Sequence, residues 1–152
     1  MSHLVDTCGW IEWLTEGVLA DKYEPYMLDI ESIIVPTSVQ FELYKWAYRV
    51  KDKQSALEAI ALTEQGCTIP LTTSIALLAA DLAAQYKLSF ADAIIYATAR
   101  NEAAELITSD DHFLRSFRES SLIPLIRQAS TEGRSEAIQE LADAVLLKVR
   151  ES

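Results

Sequence analysis

At 152 residues, half of them hydrophobic and only four each glycine or proline, the chain is long enough to bury one core and too apolar to be disordered. Its formal net charge is 13 − 23 = −10, which excludes the broad basic footprint of nonspecific nucleic-acid binders. No apolar stretch approaches the roughly 18 residues that cross a bilayer, the N-terminus lacks the basic region of a signal peptide, and Cys8 and Cys67 match no metal spacing. The expectation is a cytoplasmic chain with two reduced thiols and no membrane partner.

Short apolar runs alternate with helical patterns along the chain. Leu4-Val5 reads as a strand and Gly9 to Leu19 as a helix. The β-branched run Ser32 to Pro36 suits a buried parallel strand. Ser38 is placed to cap a helix reaching about Val50, and Gln54 to Gln65 reads as another. Cys67 to Leu71 is a weaker strand. Thr73 to Tyr86 is a helix whose stripe carries Ile75, Ala79, Leu82 and Tyr86. Ser89 opens a helix ending near Ala103, followed by strands at Glu105–Thr108 and Leu122–Leu125. After Gln128, Ser130–Arg134 reads as a loop and Glu136–Val149 as an amphipathic helix. Strands alternating with helices predict an α/β fold, a three-layer α/β/α sandwich around a parallel sheet of about five strands.

Four acids sit where this pattern turns from strand into helix: Asp6, Glu42, Asp92 and Asp110. In an open parallel sheet such points face one crevice, at the carboxyl ends of the strands. Carboxylates crowded there repel one another unless a cation lies between them, and a hard divalent ion with oxygen ligands answers that need. Each acid also has a plainer role. Asp92 stands three residues after Ser89 and Asp111 three after Thr108, both at capping-box spacing, and an isolated Glu42 reads as a solvated helix acid. We assign Asp111 to capping and Asp110 to the site.

The segments Val5-Asp6-Thr7, Glu42 early in its helix, Phe90-Ala91-Asp92-Ala93-Ile94-Ile95-Tyr96-Ala97-Thr98-Ala99 and Leu106-Ile107-Thr108-Ser109-Asp110-Asp111-His112-Phe113 resemble a PIN domain, and more narrowly a VapC-type toxin ribonuclease. The last two segments are the more specific. The resemblance runs from about Leu4 to Leu125, dividing the chain into a PIN-like nuclease domain over residues 1–128 and an appended loop and helix over 129–152. It implies that Asp6, Glu42, Asp92 and Asp110 are catalytic and bind one or two Mg²⁺ or Mn²⁺ ions. Such ions activate water for in-line attack on an RNA phosphodiester, leaving a 5′-phosphate and a 3′-hydroxyl. It further implies a homodimer and a cognate antitoxin that occludes the crevice. Cys8 departs from the small hydroxyl or amide residue found in many relatives, and the helix after Arg134 lies beyond the resemblance.

Thr7, Thr108 and Ser109 are candidates to orient the carboxylates, or else helix caps. Lys45 and Arg49 share a helix face at i, i+4 and are candidate RNA contacts, against the alternative of a solvated face. Arg100 and Arg115 have weaker grounds. Trp10, Trp13, Tyr44, Trp46 and Tyr48 read mostly as core or interface. His3 and His112 are the only histidines and are not expected to share a site. A phosphatase of the haloacid dehalogenase type needs an acid at position 8, and a receiver domain needs one after the third strand and a lysine near the last. Neither is present. A PIN-like module that binds RNA or protein without turnover is the alternative function.

Overall fold

The computed structural model describes residues 2–109 and the strand backbone at 126–128. Five strands form one parallel sheet in the order β3-β2-β1-β4-β5: β1 His3–Val5, β2 Ile33–Pro36, β3 Cys67–Ile69, β4 Glu105–Thr108 and β5 Ile126–Gln128. The helices are α1 Thr7–Leu14, α2 Ala20–Met27, α3 Thr37–Val50, α4 Lys53–Thr63, α5 Thr73–Tyr86 and α6 Phe90–Asn101, with a 3₁₀ turn at Ile30–Ser32. The chain runs outward from β1 to β2 and β3, then returns to the other side of β1 for β4. The topological switch therefore falls between β1 and β4, where an open α/β sheet leaves its crevice.

The burial pattern explains why the strands read as unbroken apolar runs. Successive side chains on a strand point to opposite faces, yet Leu4 and Val5, Ile33 to Val35, and Leu106 and Ile107 are all buried. Both faces of the sheet are thus covered, and neither has a polar alternation to show. Register then sets the site. Val5 lies opposite Ile107, and the Asp6 amide donates to the Ile107 carbonyl at 3.3 Å, so the first residues past β1 and β4 emerge side by side.

Three sequence expectations change. The helix expected over Gly9–Leu19 is the shorter α1, Thr7–Leu14. It begins two residues earlier because Asp6 caps it, and it stops at Leu14. There the chain folds over the buried Glu12, whose carboxylate accepts the Leu19 amide at 3.1 Å, and Glu16 takes a left-handed φ of 51°. The second helix, α2, has no counterpart in the sequence reading, since Pro25 interrupts its pattern and only Tyr23 and Met27 are buried. Ser38 is not the cap of α3. Thr37 already belongs to the helix, Pro36 precedes it, and the buried Ser38 hydroxyl has no hydrogen-bond partner. The remaining helices match within two residues, with Asp52, Thr72 and Ser89 as side-chain caps. The strand expected at Leu122–Leu125, the C-terminal helix and Asp110, Asp111, His112 and Arg115 lie outside the described residues. No described helix is long and apolar enough to cross a membrane.

At the edge of the described sheet, β3 pairs among the described residues with β2 alone, is three residues long and is followed at once by Pro70.

Gly9 is where α1 meets both β1 and α2. A Cβ there would stand 2.5 Å from Val5 Cγ1 and from Tyr23 Cε1. Overpacking of this kind costs about 1–3 kcal/mol. Gly9→Ala is therefore expected to lower the unfolding free energy by that amount, read as a lower urea midpoint at unchanged slope, and an unaltered midpoint would refute the close packing.

Candidate metal centre

Asp6 is built into the fold at the junction of β1 and α1. It is the residue after β1 and the N-cap of α1, in extended conformation. Its Oδ1 accepts the Gly9 amide at 2.9 Å, and its Oδ2 accepts the Thr108 hydroxyl from the end of β4. Only 7 % of Asp6 is exposed. The carboxylate is thus clamped from two strands' ends, beside the positive end of a helix dipole that favours its charge.

Glu42 arrives from the second turn of α3. Its Oε1 accepts the Thr7 hydroxyl at 3.0 Å, which couples the first residue of α1 to α3. Burial pushes the Glu42 carboxyl above its ordinary value. The Thr7 hydrogen bond opposes this, the nearby Asp92 charge adds to it, and Lys45 opposes it. Asp92 comes from the first turn of α6, where Ser89 Oγ accepts the Asp92 amide at 3.3 Å. The backbone of Asp92 therefore takes part in the cap, as its spacing from Ser89 suggests, while the residue itself also lines the cleft.

These three acids line a single cleft of about 370 Å³, counting its open mouth, together with Thr7, Cys8, Ile95, Leu106 and Thr108. The cleft lies at the switch between β1 and β4. Residues remote in sequence meet here because β1 brings its carboxyl end, and α3 and α6 their amino-terminal turns, to the same place. Ser109 does not line the cleft, and its Oγ accepts the Tyr23 hydroxyl at 2.7 Å. Lys45 and Arg49 also stand outside the lining. Lys45 is exposed, with its ammonium 6.0 Å from the Phe41 ring centroid, and Arg49 is exposed in the last turn of α3. Trp10 is fully buried and packs edge-on against Trp13, so it serves the core. His3 sits at the amino end of β1, 3.5 Å from Glu105, away from the cleft.

The donors facing the cleft are hard oxygens, apart from the Cys8 thiol. Among the described residues no three His, Cys, Asp or Glu side chains close into a ligand cluster. Carboxylate and hydroxyl oxygens are the donor type that hard divalent cations take.

Sequence reasoning missed two contributors. The Gly9 amide that holds Asp6 lies in the first turn of α1, a helix the sequence reading begins two residues too late. Tyr23 lies in α2, which the periodicity did not reveal. Tyr23 is fully buried, and burial first, then the Asp6 charge, raise its phenol well above the usual tyrosine value, so it remains a proton donor.

The fold and cleft agree with what the chain resembles among known proteins. No curated protein sequence matches it. Solved structures that share its fold include a toxin–antitoxin complex from Klebsiella pneumoniae, 24% identical with a TM-score of 0.68 over 85% of this chain and 98% of that one. VapBC2 from Rickettsia felis, bound to a promoter DNA fragment, is 17% identical with a TM-score of 0.66 over 84% and 98%. DNA-bound VapBC from Salmonella typhimurium is 16% identical with a TM-score of 0.66 over 86% and 99%. At these identities the likeness is one of fold. The family model for the PIN domain matches residues 3–116, most of the chain, and with the parallel sheet and its acidic switch point this shows that the chain belongs to the PIN domain family.

Proposed function

We propose that this PIN domain is a metal-dependent endoribonuclease and the toxin of a type II toxin–antitoxin pair. The observation that carries the proposal is the meeting of Asp6, Glu42 and Asp92 in one cleft at the sheet's switch point. The fold-level likeness to toxin–antitoxin complexes supports the toxin assignment. In this reading Asp6, Glu42 and Asp92, joined by Asp110 from outside the described residues, hold one or two Mg²⁺ or Mn²⁺ ions. When bound, such ions lower the pKa of a water and neutralise charge on the scissile phosphodiester.

The chain's own residues prepare that site in three ways. Thr108 and the Gly9 amide fix the Asp6 carboxylate, so little rotamer freedom is lost on binding a cation. Thr7 does the same for Glu42. Mutual repulsion between Glu42 and Asp92, together with burial, makes their paired charges costly without a cation. The net charge of −10 repels phosphate over a Debye length of about 8 Å. RNA must therefore be guided locally, and Lys45 and Arg49 on the exposed face of α3 are the residues for it. The acidic cleft also offers a counterpart for a basic side chain of an antitoxin. We place the protein in the cytoplasm as a homodimer.

Three outcomes test this reading. With Mg²⁺ or Mn²⁺ the wild-type protein is expected to cleave RNA, and Asp6→Ala and Asp92→Asn to lose more than the roughly 10- to 100-fold typical of outer partners of a metal site. Equal rates in all three proteins would refute the mechanism. Thr108→Val should weaken metal affinity by about 10- to 100-fold, measured by calorimetry. Glu42→Gln should lose metal affinity yet raise the melting temperature of the metal-free protein at neutral pH. The sign follows from linkage. A carboxyl whose folded pKa is raised binds more protons in the native state than in the unfolded one. Stability therefore falls as pH rises from the ordinary Glu value through the raised one. A lower melting temperature for Glu42→Gln would contradict the inferred strain.

A further inference from the structure

Helix α2 contributes no residue to the cleft wall, yet one of its side chains touches one support of Asp6, Gly9, and the residue next to the other, Ser109. Tyr23 is fully buried. Its ring lies against the Gly9 backbone so closely that a Cβ there would stand 2.5 Å from Cε1 and 2.9 Å from Cδ1. Its hydroxyl donates to Ser109 Oγ at 2.7 Å, across 86 positions of sequence. Gly9 supplies the amide that holds Asp6 Oδ1, and Ser109 directly follows Thr108, whose hydroxyl holds Asp6 Oδ2. One buried aromatic thus backs both arms of the clamp from behind.

We propose that Tyr23 is a positioning residue for the Asp6 carboxylate, its ring fixing the Gly9 amide and its hydroxyl fixing the chain at Thr108–Ser109. This rests on the reading of Asp6 as a metal ligand in a nuclease. Core filling between α1 and α2 accounts for the ring. The hydroxyl has a different task, since a buried phenol must find a partner and this one finds it in the segment that carries the second donor to Asp6. Removing the hydroxyl alone leaves the packing in place and frees Ser109. Thr108 keeps its place in β4, but the chain just past it loses a side-chain anchor, so its hydroxyl and the Asp6 carboxylate gain rotational freedom.

The test compares wild type, Tyr23→Phe, Ser109→Ala and the double variant. Mn²⁺ affinity is measured by calorimetry on the metal-free protein, RNA cleavage across a Mn²⁺ titration, and thermal stability in parallel. We expect each single variant to raise the Mn²⁺ dissociation constant about tenfold, as for the outer partners of other metal ligands, with the cleavage rate at saturating Mn²⁺ closer to wild type. The double variant should be no worse than either single one, because both remove the same hydrogen bond. Wild-type Mn²⁺ affinity in Tyr23→Phe, with or without a fall in melting temperature, would overturn the proposal, as would additive losses in the double variant. A wild-type protein that binds Mn²⁺ with the expected variant effects but cuts no RNA would overturn the nuclease reading and leave the positioning role standing. A wild-type protein that binds no Mn²⁺ would overturn both.

Discussion

The clamp on Asp6 joins the sheet to the cleft, and the geometry of the site depends on it. Parallel pairing brings Val5 beside Ile107, the Asp6 amide extends the ladder by one bond, and the next residue of β4 then reaches the carboxylate. The same carboxylate caps α1. A single side chain therefore ends one strand, starts one helix and faces the cleft. Hydrogen bonds to a buried charge are worth more than neutral ones, and losing a partner leaves the full cost of desolvation. A carboxylate offers about four acceptor positions, and Gly9 and Thr108 donate to two of them.

Beside that fixed point Glu42 is held at an electrostatic cost. Glu42 is partly buried, lies near the charge of Asp92 and is relieved by one hydroxyl and one lysine. A stable core has no use for such an arrangement. Functional sites commonly retain strain or unfavourable charge that the surrounding fold supports. Here the support is the apolar sheet, whose central strands are sealed on both faces.

Much of this was readable from sequence because it rests on local rules. The β-branched run at Ile33–Val35 announced a buried parallel strand, and Thr73–Tyr86 showed a clean helical stripe with a threonine cap. Asp6, Glu42 and Asp92 stood at strand-to-helix junctions, and topology brings such junctions together. What escaped notice depends on tertiary contact. The break after Leu14 is set by Glu12 reaching the Leu19 amide, a bond that no periodicity reports. Helix α2 carries a proline and two buried residues, too little pattern to distinguish it from a loop. Ser38 looked like a cap by residue type alone, but the helix starts one residue before it. The hydroxyls of Thr7, Thr108 and Ser109 left caps and carboxylate partners equally open. The structure gives Thr7 and Thr108 carboxylate partners and gives Ser109 a tyrosine.

The short third strand has a consequence for how copies of this molecule coexist. An outermost strand displays unpaired amides and carbonyls that invite a neighbour's backbone. Here that frontier is only Cys67–Ile69, and Pro70 immediately withholds the next donor. A foreign strand arriving on this flank would find a ladder too brief to seed cross-β growth, so the flank resists polymerisation without needing a charged gatekeeper.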